Sequence, residues 1–287
     1  MTPIDHLTRA YFRSIGAQSR WVPSSLGEQH SLEVAGGGTL GTLILLHGLS
    51  ARGTHFALMV RRLRPHFGRI VIPDILGHGL SPGLDRPIRG PEMQQTVDEV
   101  LDALVPEPAT IYGNSLGGYG AIRFAGSRPE RVRALIINSP AGAAIAGMSM
   151  QQYMDRFRLS SREEAAAFAE QYFGGQVRLR RLVARGVMKQ LSNPTVQGFI
   201  DQLCEDDLHT PEHLARLSMP TLLLWGRRDG IMLPEQLDFY RQHLPEHARL
   251  EEPEAYGHAP YIEHASDLAG RLVAFVRAAQ PAPVGGG

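Results

Sequence analysis

The sequence predicts an α/β domain, a mostly parallel central sheet with helices on both faces, interrupted once by a helical insertion. Short runs rich in leucine, isoleucine and valine alternate along the chain with longer amphipathic stretches. The runs are apolar almost continuously rather than at every second position, which is the pattern of strands covered on both faces. The alternation stops between residues 143 and 210, where only helical patterns occur.

In chain order, SLEVAGGGTLGTLILL (31–46) reads as a hairpin feeding the sheet, with GGGTLG (36–41) as its turn. That hexapeptide also fits the Gly-x-Gly-x-x-Gly dinucleotide pattern, but it precedes a strand instead of opening a helix. TLILLHG (42–48) is the first core strand and leads to a helix over 54–67. RIVIPDI (69–75) follows, then a loop and a helix over 91–105. ATIYGNS (109–115) runs straight into a helix over 116–127, and RALIINSPA (133–141) is the fourth strand. The insertion holds helical stretches at 148–157, 160–173, 177–191 and 194–203, the second opened by a capping-box pattern from Ser161 to Glu164. Thr210 and Pro211 then supply an N-cap and a first helical residue where the chain returns to the core. PTLLLWGRRD (220–229), a helix over 234–244, ARLEEPEA (248–255) and a helix over 265–279 complete the series, and APVGGG (282–287) is expected to fray. The division expected is a core of 1–142 and 211–287 carrying a cap of 143–210.

At 287 residues with 43% apolar content, the chain has ample material for one large core. Twenty-nine basic and 29 acidic side chains cancel, which argues against a dedicated nucleic-acid or anionic-membrane protein. Cys204 is alone and flanked by acids, so it offers neither an internal disulfide nor an activated thiol. The first residues lack the apolar stretch of a secretion signal, and no run reaches the length of a membrane span, so a cytoplasmic protein without membrane insertion is expected. HLPEH (243–247) fits a zinc-site pattern, but Pro245 would break the helix such a site needs. The arginines of 177–189 read as the solvated face of a cap helix. Neither a metal nor a cofactor is implied, and nothing in the sequence sets an oligomeric state.

The chemistry concentrates at IYGNSLGGYG (111–120). Gly-x-Ser-x-Gly is common by chance, but here Ser115 falls where a strand meets a helix. A serine lifted clear of a sheet edge needs a strained, very tight turn, and side chains at Gly113 and Gly117 would collide there. The following helix aims free N–H groups at the same spot. Acyl transfer also needs a base, an orienting acid and an oxyanion hole. His258, in a Gly-His turn after the last strand, stands at the sheet edge where ligands bind in open α/β folds. Asp229 ends the penultimate strand. The backbone N–H groups of Leu116 and Leu49 are the expected oxyanion donors, with Gly48 allowing close approach. Asp74, His78 and His47 read as residues that shape the loops beside the site, and Asp206 and Asp207 fall in the cap.

The order Ser115, Asp229, His258 resembles that of the α/β-hydrolase fold family, as do LLHGLS, DILGHGLS, GNSLGG, WGRRDG and YGHAP in family order from about residue 30 to 280. The resemblance implies an α/β-hydrolase fold with a helical cap and two-step acyl transfer through Ser115, because serine rather than aspartate occupies the elbow. Met148, Met150, Tyr153, Met154, Phe157, Phe168, Phe173, Met188 and Phe199 supply apolar material to the cap, and those facing the cleft would favour a small to medium apolar ester. A carboxylesterase or monoacylglycerol-lipase-like activity is the expectation. GNSLGG is also similar to the elbow of C–C hydrolases acting on meta-cleavage products, but LSARG and Ala259 depart from that pattern. A non-catalytic ligand-binding relative is the third reading.

Overall fold

The apolar runs form the middle of an eight-stranded sheet in the computed structural model, which describes residues 3–175 and 180–280. Its strands are β1 (Gln18–Ser24), β2 (Gly27–Ala35), β3 (Thr42–Leu46), β4 (Arg69–Pro73), β5 (Ala109–Asn114), β6 (Val132–Asn138), β7 (Thr221–Leu224) and β8 (Arg249–Glu251). They lie in the order β1-β2-β4-β3-β5-β6-β7-β8, with β2 antiparallel to both neighbours and all other pairs parallel.

The helices are α1 (Pro3–Ser14), α2 (Ala57–Leu63), α3 (Gly90–Leu104), α4 (Leu116–Ser127), α5 (Met150–Met154), α6 (Arg162–Phe173), α7 (Arg180–Leu191), α8 (Pro194–Gln202), α9 (Pro211–Ala215), α10 (Pro234–His243), α11 (Pro260–Glu263) and α12 (Ala265–Ala278). Because side chains alternate along a strand, each central strand feeds two cores. Leu43 and Leu45 pack with Met59, Val60 and Leu63 of α2 and Leu268 and Leu272 of α12. Ile44 and Leu46 pack on the opposite face with Val97 and Leu101 of α3 and Ile122 of α4. Between β6 and β7 the described residues form α5 to α9 and no strand of the sheet.

The expected hairpin is corrected. β2 and β3 do not pair, because β4 lies between them, and the hairpin in this region is β1–β2. GGGTLG is a crossing connection instead. Its N–H groups bond the end of α2 and the turn beyond, with Gly36 N–H on Gly68 O at 2.9 Å, Gly37 N–H on Arg64 O at 2.9 Å and Gly38 N–H on Phe67 O at 3.1 Å. A Cβ on Gly38 would fall 1.9 Å from the His66 carbonyl carbon, so the glycines serve close approach and not a hairpin turn. At α6, Ser161 Oγ accepts the Glu164 N–H at 3.1 Å, whereas the Glu164 carboxylate turns to the Ser160 N–H at 2.7 Å, so half of the expected capping box forms. The tail expected to fray, 282–287, and the stretch 176–179 lie outside the described residues, as do the side chains of Arg180 and Arg181.

Candidate active site

Ser115 stands between β5 and α4 with φ 55° and ψ −118°, a region L-residues rarely occupy. Three contacts hold it there: its N–H donates to Asn138 O at 3.1 Å, and its carbonyl accepts from Tyr119 N–H at 2.9 Å and Ala141 N–H at 3.1 Å. A Cβ on Gly113 would lie 2.4 Å from the Gly117 carbonyl oxygen, so that glycine does serve the turn itself. Gly117 has a different reason: its Cβ would meet the Leu46 carbonyl oxygen of the adjacent strand β3 at 2.3 Å. Among the described residues the non-glycine positive-φ positions are Ser50, Ser115 and Ser139, and all three stand just beyond carboxyl ends of sheet strands. Strain of this kind persists where the surroundings over-determine a functional geometry.

His258 and Asp229 come together from the loops after β8 and β7. His258 Nδ1 lies 2.8 Å from Asp229 Oδ2, with both side chains almost wholly buried. The other carboxylate oxygen, Oδ1, accepts the N–H groups of Ile231 at 2.8 Å and Met232 at 3.1 Å. Burial pushes the Asp229 carboxyl up, but the charge and hydrogen bond of His258 and the Met232 N–H hold it below its ordinary range. The ionised acid therefore faces the imidazole. Two asparagines tie this pair to the serine: Asn114 Nδ2, on the residue preceding Ser115, donates to His258 O at 2.9 Å, and Asn138 Nδ2 does so at 3.4 Å. The Ser115 hydroxyl has no hydrogen-bond partner among the described residues, so the structure joins the Asp229 carboxylate to the imidazole directly and Ser115 to His258 only through backbone and asparagine contacts.

The loop after β3 lies against the elbow, and a Cβ on Gly48 would approach Ser115 Cβ to 3.0 Å. Leu49 and Leu116 both line the cleft, and among the described residues neither N–H has a hydrogen-bond partner. Leu116 heads α4, where first-turn N–H groups find no intrahelical acceptor. Two buried histidines set this loop. His47 Nδ1–H donates to Gly48 O at 2.9 Å while Nε2 accepts the Ile75 N–H at 3.1 Å. His78 Nδ1–H donates to Leu76 O at 3.0 Å while Nε2 accepts the Ser50 N–H at 3.3 Å. The backbone thus fixes one neutral tautomer of each ring. Burial pushes both down to about 4, against the pull of Asp74. Asp74 itself takes the Gly53 and Leu80 N–H groups at 2.7 and 3.0 Å and His30 Nδ1 at 2.8 Å.

A cleft of about 850 Å³, its open mouth included, spreads from Ser115 beneath the inserted helices. Met148, Met150, Tyr153, Met154, Phe157 and Phe199 line it, whereas Phe168 packs in the core and Met188 against a small alanine cluster. Asp207 lines the same cleft, with Oδ2 taking the Cys204 N–H at 3.0 Å, and makes no contact with His258. Asn114, Asn138, His30 and Tyr172 belong to the site's framework and were not singled out by the sequence. Asn114 had a signal, its place beside the serine; the others act through contacts between residues far apart in the chain.

The family model for the alpha/beta hydrolase fold matches residues 41–265. The pimeloyl-[acyl-carrier protein] methyl ester esterase of Pectobacterium atrosepticum is 30% identical over 249 residues, covering 82% of this chain and 94% of that protein. Lipase 1 of Psychrobacter immobilis is 24% identical over 81% of this chain and 76% of its own length. Among solved structures, a putative lipase from Acinetobacter baumannii superposes with a TM-score of 0.80 at 21% identity, covering 97% of each chain. With the elbow, the strand order and the match over most of its length in agreement, the chain belongs to the alpha/beta hydrolase fold family.

Proposed function

We propose that the protein is a serine hydrolase of carboxylic esters. In this reading 143–210 caps a core of 1–142 and 211–287, and an acyl-enzyme forms on Ser115. The observation that carries it is the buried His258–Asp229 pair, 2.8 Å apart, tied by Asn114 to the strained elbow of Ser115. His258 takes the Ser115 proton on Nε2 as Oγ attacks the ester carbonyl, and the Leu49 and Leu116 N–H groups hold the oxyanion. The imidazolium then gives its proton to the leaving alcohol. Water, deprotonated by the same nitrogen, releases the acid and restores the serine. Catalytic hydrogen bonds often tighten only when substrate binds, so the Ser115–His258 contact is expected to close in the Michaelis complex.

The methionines and aromatic rings of the cleft favour a small to medium apolar acyl or alcohol group. The esterase and lipase names of the relatives support an ester as the bond cleaved. A p-nitrophenyl ester panel of rising chain length tests the proposal. Turnover is expected for short and medium chains, and Ser115→Ala is expected to lose it by about a thousandfold or more, together with labelling by a fluorophosphonate. Full activity in Ser115→Ala would end the assignment. A coloured meta-cleavage dienol-ketone run beside the panel is expected to remain unchanged.

A further inference from the structure

The last turn of any α-helix leaves carbonyls without intrahelical partners, and where they go is a complete accounting question. In α6, Glu170 O takes the Gly175 N–H at 3.0 Å, while Gln171 and Tyr172 turn their carbonyls to the two loops that carry Asp229 and His258. Gln171 O accepts the Gly230 N–H at 3.0 Å, from the residue after Asp229. Tyr172 O accepts the N–H of His258 itself at 2.7 Å. The Tyr172 ring stands edge-on to the imidazole with centroids 5.1 Å apart, and its hydroxyl lies 3.0 Å from that of Tyr261.

The seam is built for contact on both sides. A Cβ on Gly230 would lie 2.9 Å from Gln171 Cβ. One on Gly257 would lie 2.6 Å from the Phe173 carbonyl carbon and 2.9 Å from Gly174 N. Gly174 closes the helix at φ +66°, where a Cβ would strike Arg228 Cβ at 2.4 Å. Three glycines therefore let the helix end sit directly on the acid and base loops.

We propose that the C-terminal turn of α6 is a positioning element for the His258–Asp229 pair, with Tyr172 as its positioning residue, so that the base is set only while this edge of the inserted segment is seated. Backbone bonds fix the height of both loops, the Tyr172 ring fixes the tilt of the imidazole, and the partial negative charge of the helix end favours the imidazolium formed during acylation. The titratable groups against His258 are the Asp229 carboxyl from the β7 loop and the phenol of Tyr172 from α6, whose hydroxyl meets that of Tyr261 from α11.

The inference rests on His258 acting as the general base, and the experiment separates the two. Steady-state kinetics on a p-nitrophenyl ester are measured against pH for the wild type, Gly257→Ala, Tyr172→Ala, Tyr172→Phe and Ser115→Ala, with a melting curve for each. Gly257→Ala, which forces the helix end away, is expected to lower kcat by about tenfold to a hundredfold with KM nearly unchanged. Tyr172→Ala is expected to lose kcat several-fold and Tyr172→Phe, which keeps the ring, to regain most of it. If Gly257→Ala does not fold, the Tyr172 pair decides. Wild-type kcat in the folded seam variants, with only the melting temperature lowered, would overturn the inference while Ser115→Ala remains inactive. Activity surviving in Ser115→Ala would instead overturn the reading beneath it.

Discussion

Asp229 shows how much one carboxylate is asked to do. Oδ1 fixes its own loop through the Ile231 and Met232 N–H groups, and Oδ2 fixes the tautomer of His258. Asp229→Asn separates these duties: an amide oxygen still serves the loop, while its NH₂ faces Nδ1 and favours the tautomer whose Nε2 already carries a proton. The expected outcome is a folded protein with a melting temperature near wild type and kcat lower by about ten-thousandfold. Stopped assays with a p-nitrophenyl ester and a fluorophosphonate labelling time course check it, and labelling at the wild-type rate would remove Asp229 from the mechanism. The position of Asp229 was legible in the sequence because it follows an apolar run, and the end of a buried parallel strand is where such a fold exposes side chains, whereas His258 was legible from its Gly-His turn after the last expected strand. Asn138 and the Tyr172 carbonyl were not legible. Their contribution is an amide or carbonyl at the right height, and that depends on which strand and which helix lie next door.

At the scale of an element, the β5–turn–α4 unit carries glycines with opposite roles. Gly117 sits where a Cβ would meet the Leu46 carbonyl oxygen at 2.3 Å, and backbone cannot give way as a flexible side-chain tip can. Gly120, one turn on in α4, would meet nothing nearer than Gln94 Oε1 at 3.5 Å, an ordinary contact. Gly117→Ala is expected to destabilise by about 2–4 kcal/mol or prevent folding. Gly120→Ala is expected to stabilise by about 0.5–1 kcal/mol through helix propensity. Urea unfolding of both variants tests the pair, and equal effects would refute the packing argument. Strands β3 to β6 were visible in the sequence because continuous apolar runs, bounded by turn residues, leave little alternative to a doubly covered strand. The placing of β4 between β2 and β3 was hidden. Antiparallel pairing of β2 with β4 depends on partner choice, and GGGTLG reads equally well as a hairpin turn and as a connection crossing the end of a strand.

For the whole molecule, the cluster that shapes the loop after β3 also sets the response to acid. His47 and His78 are buried as neutral rings and titrate at about 4, where an unfolded chain would titrate them at about 6.5. Below that higher value the unfolded chain binds protons that the folded one refuses. Stability is thus fully present above about pH 6.5 and falls steadily toward pH 4, by up to about 1.4 kcal/mol per pH unit for each group. Burial drives His209 down as well, and among the described residues neither of its ring nitrogens has a hydrogen-bond partner, so it acts in the same direction. Asp98 and Glu263, which burial pushes up, oppose the trend, since a raised carboxyl is more stably protonated in the folded state and loses that contribution as pH rises. Asp74 and Asp229, held low, add their loss only as pH falls further, through their own folded values. The histidines dominate the upper part of the window because no lowered carboxylate is gaining protons there. His78→Gln keeps an acceptor for the Ser50 N–H and removes one titrating ring. It is expected to lower stability at pH 7.5 yet flatten the decline between pH 6.5 and 4 by about one proton's worth. Urea unfolding at half-unit steps of pH measures both slopes, and parallel curves for the variant and the wild type would show that His78 is not one of the groups that makes the fold acid-sensitive.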